Sequence, residues 1–359
     1  MSLDCADERV RYTPTTTSTF SEKVCQQVKT WLGDCSTSCP DCRRPLNLSK
    51  YPTRLVVVGD SASTKIRLCS PAKENVSTPY MTLSHMWGVG SMFSLTSANL
   101  SSLYEEIPLD ELSKVFRDAI TVTRMLGIKY LWIDSLCIIQ SGPESKQDWV
   151  HEAERMGDVY VNAYCNIGAS IATDGPFGLI YPRDPAKITI PTIELGPQML
   201  HYPNKSVSIS GTHVIVPMSI WNGTLSWFPL LHRAWVFQER FLCSRMIHFG
   251  ADQIFWECKN ISLCESTPRK DWLENYEGDR DKYRMVEVDL SELAQWYQRV
   301  CQTLCRIWAD IWVRYLPSAN WYCAPTRENI SFAWWGLSVF GRLLAVGSSS
   351  GVKLVCHPR

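Results

Sequence analysis

The sequence predicts an α/β fold with a mostly parallel sheet flanked by helices, and two observations indicate it. Between residues 109 and 171, helical patterns alternate with short apolar runs in the order helix, strand, helix, strand. The first of these runs, at 130–134, lacks polar alternation, as is typical of a strand that helices cover on both faces, and the second lies at 165–171. Together these patterns favour a parallel sheet between helical layers.

The first predicted helix and strand meet at a glycine and end in a carboxylate. Apolar residues recur at three- and four-residue spacing through the predicted helix 109–126, and Gly127 is expected to end it. The strand 130–134 follows and ends in Asp134. Open α/β sheets bind their ligands at the carboxyl ends of strands, so Asp134 is the first candidate functional residue.

Other elements surround this core. Residues 1–20, rich in Thr and Ser, are expected to be disordered. The remaining predicted helices cover 21–32, 147–163, 232–240 and 290–315, and the last dozen residues are expected to be frayed. The remaining predicted strands lie at 54–58, 65–68, 80–85, 187–193, 206–216, 245–249 and 253–257. The predicted divisions are the segment 1–20, an N-terminal region 21–79 with a helix, a cysteine cluster and strands, a central domain 80–250, and a helical C-terminal region 251–359. As a fold class, we expect the parallel core to carry mixed β and helical additions at its C-terminal end.

Composition narrows the class of protein. Lys plus Arg equals Asp plus Glu at 36 each, so no net field attracts nucleic acid. No apolar run is long enough to span a membrane. The amino terminus has no apolar signal core, so we expect a cytoplasmic protein whose 15 cysteines are reduced and mostly buried.

Four blocks of sequence resemble one known family. They are YMTLSHMWG at 80–88, FRDAITVTRMLGIKYLWIDSLCIIQ at 116–140, DWVHEAERMGDVYVNAYCNIGAS at 148–170 and HRAWVFQERFLCSRMIHFG at 232–250. In this order they resemble the fungal heterokaryon-incompatibility (HET) domain family. PTRLVVVG at 52–59 and FWEC at 255–258 are similar to the family's flanks.

The resemblance implies a cytosolic fungal protein whose relatives trigger cell death when genetically different hyphae fuse. It also implies a core similar to the Toll/interleukin-receptor (TIR) fold, a Rossmann-like arrangement, some of whose members hydrolyse NAD. No cofactor is assigned, and NAD is considered as a substrate. Stand-alone family members also occur in secondary-metabolite gene clusters, where some act as tailoring enzymes. The chain lacks a P-loop pattern and a repeat array, which keeps that second role open.

Two carboxylates are candidate catalytic residues. Asp134 could orient a ribose hydroxyl, act as a general base or position another group; alternatively it caps a helix or pairs with Arg124 or Arg117. Helical spacing places Trp235 and Glu239 on one face, with Arg240 beside them. Such a glutamate would stabilise the cationic sugar centre that forms when a glycosidic bond breaks. The alternative is an ion pair with Arg233, Arg240 or Arg245.

The corner after the third predicted strand adds further candidates. His85 could act as an acid, a base or a hydrogen-bond donor, or be a satisfied core histidine. Gly88 allows a sharp exit from the strand. We predict ligand contacts for Trp87, Gly88, Trp132, Trp235 and Arg240. Cys137 was considered as a nucleophile, but its apolar neighbours favour a buried thiol.

A cysteine cluster, Cys35-x3-Cys39-x2-Cys42 with Cys25 upstream, is the candidate metal site. Its spacing is looser than that of paired Cys-x2-Cys knuckles, and no second pair follows at the usual distance. In the resembled family the middle position is commonly His. Reduced structural cysteines are the alternative, and no metal is assigned.

Two functions of different class follow. The first is self/non-self recognition and cell-death signalling, with self-association through the HET domain and NAD cleavage as its activity. The second is a tailoring enzyme, such as a cyclase or Diels-Alderase acting on a terpenoid or polyketide in an aromatic-lined pocket. A non-catalytic interaction domain is the third possibility.

Overall fold

The computed structural model describes residues 2–5, 15–43, 45–87, 92–172, 178–188, 192–202, 205–216, 225, 227–266 and 268. The predicted helix 290–315, the predicted frayed tail and the candidate Gly88 lie outside the described residues. All statements on structure below concern the described residues.

An eight-stranded mixed sheet forms the centre of the fold, with strand order β11-β10-β9-β6-β4-β5-β2-β3. Its strands are β2 (Leu55–Val57), β3 (Arg67–Cys69), β4 (Met81–Ser84), β5 (Tyr130–Trp132), β6 (Cys165–Gly168), β9 (Arg245–Phe249), β10 (Ile254–Cys258) and β11 (Ser262–Cys264). A separate three-stranded sheet, in the order β1-β8-β7, contains β1 (Ser2–Cys5), β7 (Thr192–Tyr202) and β8 (Lys205–Val216).

Within the described part of the chain, six α-helices accompany the strands. They are α1 (Glu22–Ser38), α2 (Leu100–Glu105), α3 (Lys114–Met125), α4 (Asp134–Cys137), α5 (Ser145–Asn162) and α6 (Ala234–Leu242). Ser21 begins α1 by accepting a hydrogen bond from the Val24 amide, and Ser113 caps α3 through the Phe116 amide. These serine caps satisfy amides that the first helical turn leaves unpaired.

The prediction of an α/β fold is confirmed, but the sheet is less parallel than expected. Parallel pairing joins β4 to β5, β4 to β6 and β6 to β9. Four antiparallel pairings extend this centre at both edges. Short connections join β2 to β3, β9 to β10 and β10 to β11, and connections of this length permit only antiparallel neighbours. The fourth antiparallel pair, β2 with β5, joins strands that are far apart in the chain.

The order of the parallel strands locates a crevice. From β4 the chain moves to β5 on one side and then returns to β6 on the other side. Where successive connections leave a strand in opposite directions, a crevice opens beyond the carboxyl ends of the two strands. Ser84 and Gly168, which are paired in register, end β4 and β6 at this point.

The predicted divisions of the chain cut through one sheet. β2 and β3 come from the region 21–79, and β10 and β11 come from the region 251–359, which we expected to be largely helical. Within the segment predicted to be disordered, Ser2–Cys5 pair with β8, and the buried Thr19 hydroxyl donates to the Leu179 carbonyl at 2.7 Å.

The junction from α3 to β5 largely follows the predicted pattern. Gly127 adopts φ +75°, its amide donates to Arg124 O, and the Ile128 amide donates to Thr123 O. This pair of bonds is the Schellman motif, which requires a left-handed residue after the helix. β5 is shorter than predicted, and Asp134 begins the short helix α4 instead of ending the strand.

Helix α1 packs on the sheet at β10. Trp31 is buried, stacks on Trp256 with ring centroids 6.3 Å apart, and donates its indole N–H to the Pro268 carbonyl at 3.0 Å. α1 extends six residues beyond the predicted 21–32, because buried Cys35 continues its apolar face past Gly33. The amino-terminal region is therefore part of the core.

Candidate functional site

A chain of buried polar groups connects β4, β6 and α6. Ser84 donates a hydrogen bond to the Glu239 carboxylate. Asn166 Nδ2 donates to Ser84 Oγ at 2.8 Å, and Thr82 Oγ1 donates to Asn166 Oδ1 at 3.0 Å. All four residues are buried. The network fixes the Glu239 carboxylate above the ends of two parallel strands.

Burial dominates the electrostatics of Glu239. It raises the pKa of the carboxyl from its ordinary value of 4.5 to about 7, and the nearby charge of Asp134 adds to the increase. Ser84, Tyr160 and Arg233 oppose it by favouring the carboxylate. Glu239 therefore exchanges its proton near neutral pH, which is the property required of a general acid or base.

Asp134, Trp87 and His85 form the accessible part of the site. The Trp87 indole N–H donates to Asp134 Oδ2 at 3.1 Å, and His85 Nδ1 lies 3.7 Å from Asp134 Oδ1. The rings of His85 and Trp87 stack with centroids 6.4 Å apart. The Asp134 side chain is 29% exposed and Trp87 is 42% exposed, so both can meet a ligand.

The His85 side chain is buried behind the exposed Asp134 and Trp87. Burial lowers its pKa, which Arg233 lowers further and Asp134 raises. Arg233 donates to the His85 carbonyl at 2.9 Å, and Phe116 meets the imidazole edge-on. Among the described residues, Nε2 of His85 has no hydrogen-bond partner. His85 is therefore not a fully satisfied core histidine within the described part of the chain.

Two of the arginines considered as ion-pair partners of Asp134 and Glu239 bind other groups. Arg124 donates to the Val58 carbonyl, and Asp134 accepts from its neighbouring Ser135 amide at 2.6 Å. Arg240 forms a forked pair with Glu257, both N···O distances being 2.8 Å. Glu239 instead accepts a hydrogen bond from Ser84.

Other predicted candidates lie away from the accessible surface. Trp132 is fully buried and packs edge-on against Tyr160, so it supports the core beneath the site. Trp235 is half-buried on α6, one helical turn before Glu239. Cys137 is fully buried, and burial raises its pKa, so its thiol stays protonated. A nucleophilic role for Cys137 does not fit this environment.

A second polar array, Ser170, His248 and Glu257, lies next to the first. Ser170 Oγ and His248 Nδ1 are 3.4 Å apart, and His248 Nε2 lies 3.0 Å from Glu257 Oε2. These three residues have the types of a hydrolytic triad, but all are fully buried. Glu257 is also held by the forked pair with Arg240, so we assign this array to the stabilisation of β6, β9 and β10.

A cavity of about 360 Å³ lies at the opposite edge of the sheet. Its lining includes Pro79, Tyr164 and Ser244, which precede β4, β6 and β9 respectively. No carboxylate lines it, whereas Asp134 and Glu239 lie at the carboxyl ends of the strands. We therefore place the candidate site at the carboxyl edge.

The cysteine cluster gains a member that sequence reasoning missed. Cys258, at the end of β10, joins Cys35, Cys39 and Cys42, and the four sulfur atoms all lie within 4.8 Å of one another. Cys25 is half-buried and lies outside the group. Hydrogen bonds from Cys35 and Cys42 lower the pKa of Cys258.

Sequence reasoning also missed Ser84, Asn166 and Tyr160 as parts of the site. Asn166 carried a usable signal, because it is a polar residue in the otherwise non-polar strand CNIG. A buried amide requires partners, so its presence in a central strand indicates a polar network. Tyr160 lies among the buried residues of α5, so its sequence context indicates only a core position.

The fold and site define an α/β protein with a pair of carboxylates at the carboxyl edge of its sheet. Comparison with protein families gives a match to the heterokaryon incompatibility protein (HET) family over residues 80–239. Residues 80–239 therefore match the HET domain that the sequence blocks predicted. No curated protein and no solved structure matches the chain. Within the described part of the chain, no helix is both long and apolar enough to cross a membrane.

Proposed function

We propose that this protein acts in fungal self/non-self recognition as a cell-death effector, and that its HET domain cleaves the nicotinamide–ribose bond of NAD. The observation that carries the proposal is Glu239, a buried carboxyl with a pKa of about 7 behind an accessible Asp134. The match to the HET family supports the biological role. A carboxylate is required where a ribosyl cation develops.

The strand order supports the proposed relation to TIR-like folds. The parallel strands run β5-β4-β6-β9, and the two carboxylates lie beyond their carboxyl ends. Doubly wound sheets bind nucleotides at the corresponding position. Fold alone does not define an activity, so the chemistry of the site has to carry the argument.

The proposed reaction separates charge in a way that suits these residues. The bond between ribose C1′ and the nicotinamide nitrogen breaks, and nicotinamide leaves as a neutral base with the electron pair. The ribosyl carbon becomes cationic, and the Glu239 carboxylate stabilises it. Water then adds to C1′ and releases a proton to a nearby base or to solvent. Asp134 orients a ribose hydroxyl or this water, and Trp87 stacks on a base of the ligand.

The pKa of Glu239 predicts the pH dependence of this reaction. Only the ionised carboxylate stabilises the cation, and its fraction rises as the pH increases through about 7. The rate of nicotinamide release should therefore increase through this range. Replacing Ser84 with Ala removes a hydrogen bond that lowers the pKa, so the midpoint should move to higher pH.

The test uses the purified full chain and NAD. We expect nicotinamide release by the wild type, and a loss of roughly 100-fold or more in Glu239→Gln, which retains the shape of the side chain but not its charge. Asp134→Asn should also reduce the rate. Glu152→Gln is the matched control, since Glu152 is a buried carboxylate on α5 that pairs with His151 away from this site.

Expression in a fungal host tests the biological half of the proposal. Wild type should arrest growth, and Glu239→Gln should relieve the arrest while Glu152→Gln does not. Arrest that persists in Glu239→Gln would contradict a catalytic origin. No arrest and no NAD cleavage, together with terpene or polyketide synthase genes adjacent on the chromosome, would favour the tailoring-enzyme prediction instead.

A further inference from the structure

The four sulfur atoms of Cys35, Cys39, Cys42 and Cys258 have the separations that a tetrahedral metal ion requires. With zinc–sulfur bonds of about 2.3 Å, tetrahedral geometry places neighbouring sulfurs about 3.8 Å apart. The largest separation in this group is within 4.8 Å, and Cys39 Sγ lies 4.0 Å from Cys258 Sγ. Small side-chain adjustments would bring all four sulfurs onto one ion.

The four cysteines come from two parts of the fold, the end of α1 with the turn that follows it and the end of β10. Cys35 lies in the last turns of α1, Cys39 follows its end, and Cys42 ends a short 3₁₀ helix over Pro40–Cys42. Cys258 ends β10, which packs on α1 through Trp256 and Trp31. All four are buried and none is in a disulfide. The fold thus holds the ligands together across more than 200 residues of sequence.

Arg245 provides a second, independent indication. It is buried, and among the described residues no carboxylate pairs with it. Its Nε donates to Cys35 Sγ at 3.2 Å, and its other nitrogens donate to the Tyr164 and Cys42 carbonyls. A buried guanidinium requires an anionic partner. A divalent ion with four thiolates has a formal charge of −2 and would supply one.

We propose that Cys35, Cys39, Cys42 and Cys258 bind a single zinc ion, with Arg245 as a hydrogen-bonding neighbour. Tetrahedral four-sulfur ligand sets are typical of zinc or iron, and a site with four protein ligands is structural because no position remains for a substrate. On binding, each thiol releases its proton to solvent. The ion fastens α1 and the following turn to β10.

The position of the cysteine cluster indicates a route by which the ion reaches it and the elements that the ion would stabilise. Cys42 and Arg245 line the cavity of about 360 Å³, so the cluster lies next to this cavity. Cys258 directly follows Glu257, which holds Arg240 on α6. Zinc would thereby stabilise the strand against which α6, the helix of Glu239, is anchored.

The test measures metal in the full chain purified under reducing conditions. We expect about one zinc per chain by inductively coupled plasma mass spectrometry. Cobalt exchanged into the protein should show the absorption of tetrahedral cobalt thiolate. Removal of zinc by a chelator should lower the unfolding temperature by roughly 5–10 °C, and added zinc should restore it.

Variants assign the ligands. Cys39→Ser and Cys258→Ser should bind zinc at least tenfold more weakly. Cys25→Ser, a substitution in α1 outside the cluster, should leave zinc binding unchanged. If the cluster variants do not fold, the wild type still decides the matter. A wild-type chain without zinc that fails to bind added zinc would overturn the proposal. Stoichiometric iron instead of zinc would overturn the choice of metal.

Discussion

At the scale of single residues, Glu239 determines the character of the site. Its carboxyl is buried and accepts a hydrogen bond from Ser84, which is in turn fixed by Asn166. Burial stabilises the neutral acid, while the hydrogen bond and Arg233 favour the carboxylate. The balance leaves the pKa near 7, so both forms are populated under ordinary conditions.

This balance predicts a pH-dependent stability. Because the folded-state pKa is raised from 4.5 to about 7, the folded state binds the proton more tightly than the unfolded chain. The stabilisation is present at low pH and is lost as the pH rises through about 7. Between pH 4.5 and 8, wild type should lose on the order of 3 kcal/mol more than Glu239→Gln.

Chemical denaturation of both proteins at several pH values measures this difference. Glu152→Gln serves as the control for removing a buried carboxylate elsewhere. Parallel pH curves for wild type and Glu239→Gln would mean that Glu239 titrates near its ordinary value, and the proposed mechanism would lose its basis.

At the scale of secondary structure, two glycines show that backbone conformation decides the end of a helix. Gly33 lies in the middle of α1, and Gly127 follows α3 with φ +75°. A Cβ added at either position would meet no atom within 4 Å. Substitution at these two sites therefore tests conformation without changing packing.

We expect Gly33→Ala to stabilise the protein by roughly 0.5–1 kcal/mol, because alanine loses less entropy in a helix. Gly127→Ala should destabilise it by about 1–2 kcal/mol, because alanine resists the left-handed region. Equilibrium unfolding in urea measures both changes. Effects of the same sign would show that the Schellman end of α3 does not constrain Gly127.

At the scale of the molecule, the HET family match covers only part of one folded unit. Residues 80–239 contain β4, β5 and β6, which are three of the eight strands of the central sheet. The parallel neighbour β9 and both antiparallel edges come from outside this range. A sheet without these neighbours exposes its edges and loses the core residues that they contribute.

A fragment limited to 80–239 should therefore not fold, whereas residues 1–268, which contain all eight strands, should unfold cooperatively. Circular dichroism during thermal unfolding distinguishes the two outcomes. Hydrogen exchange would show protected amides only in the longer fragment. A sharp unfolding transition of the fragment 80–239 would contradict this account of the sheet.

Local pattern predicted most of the elements. The strand 245–249 is confirmed as predicted, and α3, α5 and α6 lie within a few residues of their predicted positions apart from the start of α3. These elements have strong periodicity, and periodicity depends only on neighbours in sequence. Pairing of edge strands depends on distant residues, so the antiparallel edges and the pairing of Ser2–Cys5 with β8 did not follow from local pattern.

The sequence by itself indicated the α/β class, the resemblance to the HET family and the candidates Asp134, His85 and Glu239. These follow from local pattern and from the order of the blocks that resemble the family. Only the tertiary structure decided which groups meet. Ser84 reaches Glu239 across 155 positions, and Cys258 joins Cys35 across more than 200. Such contacts, and the burial that shifts a pKa, arise from packing between elements, and no short stretch of sequence encodes them.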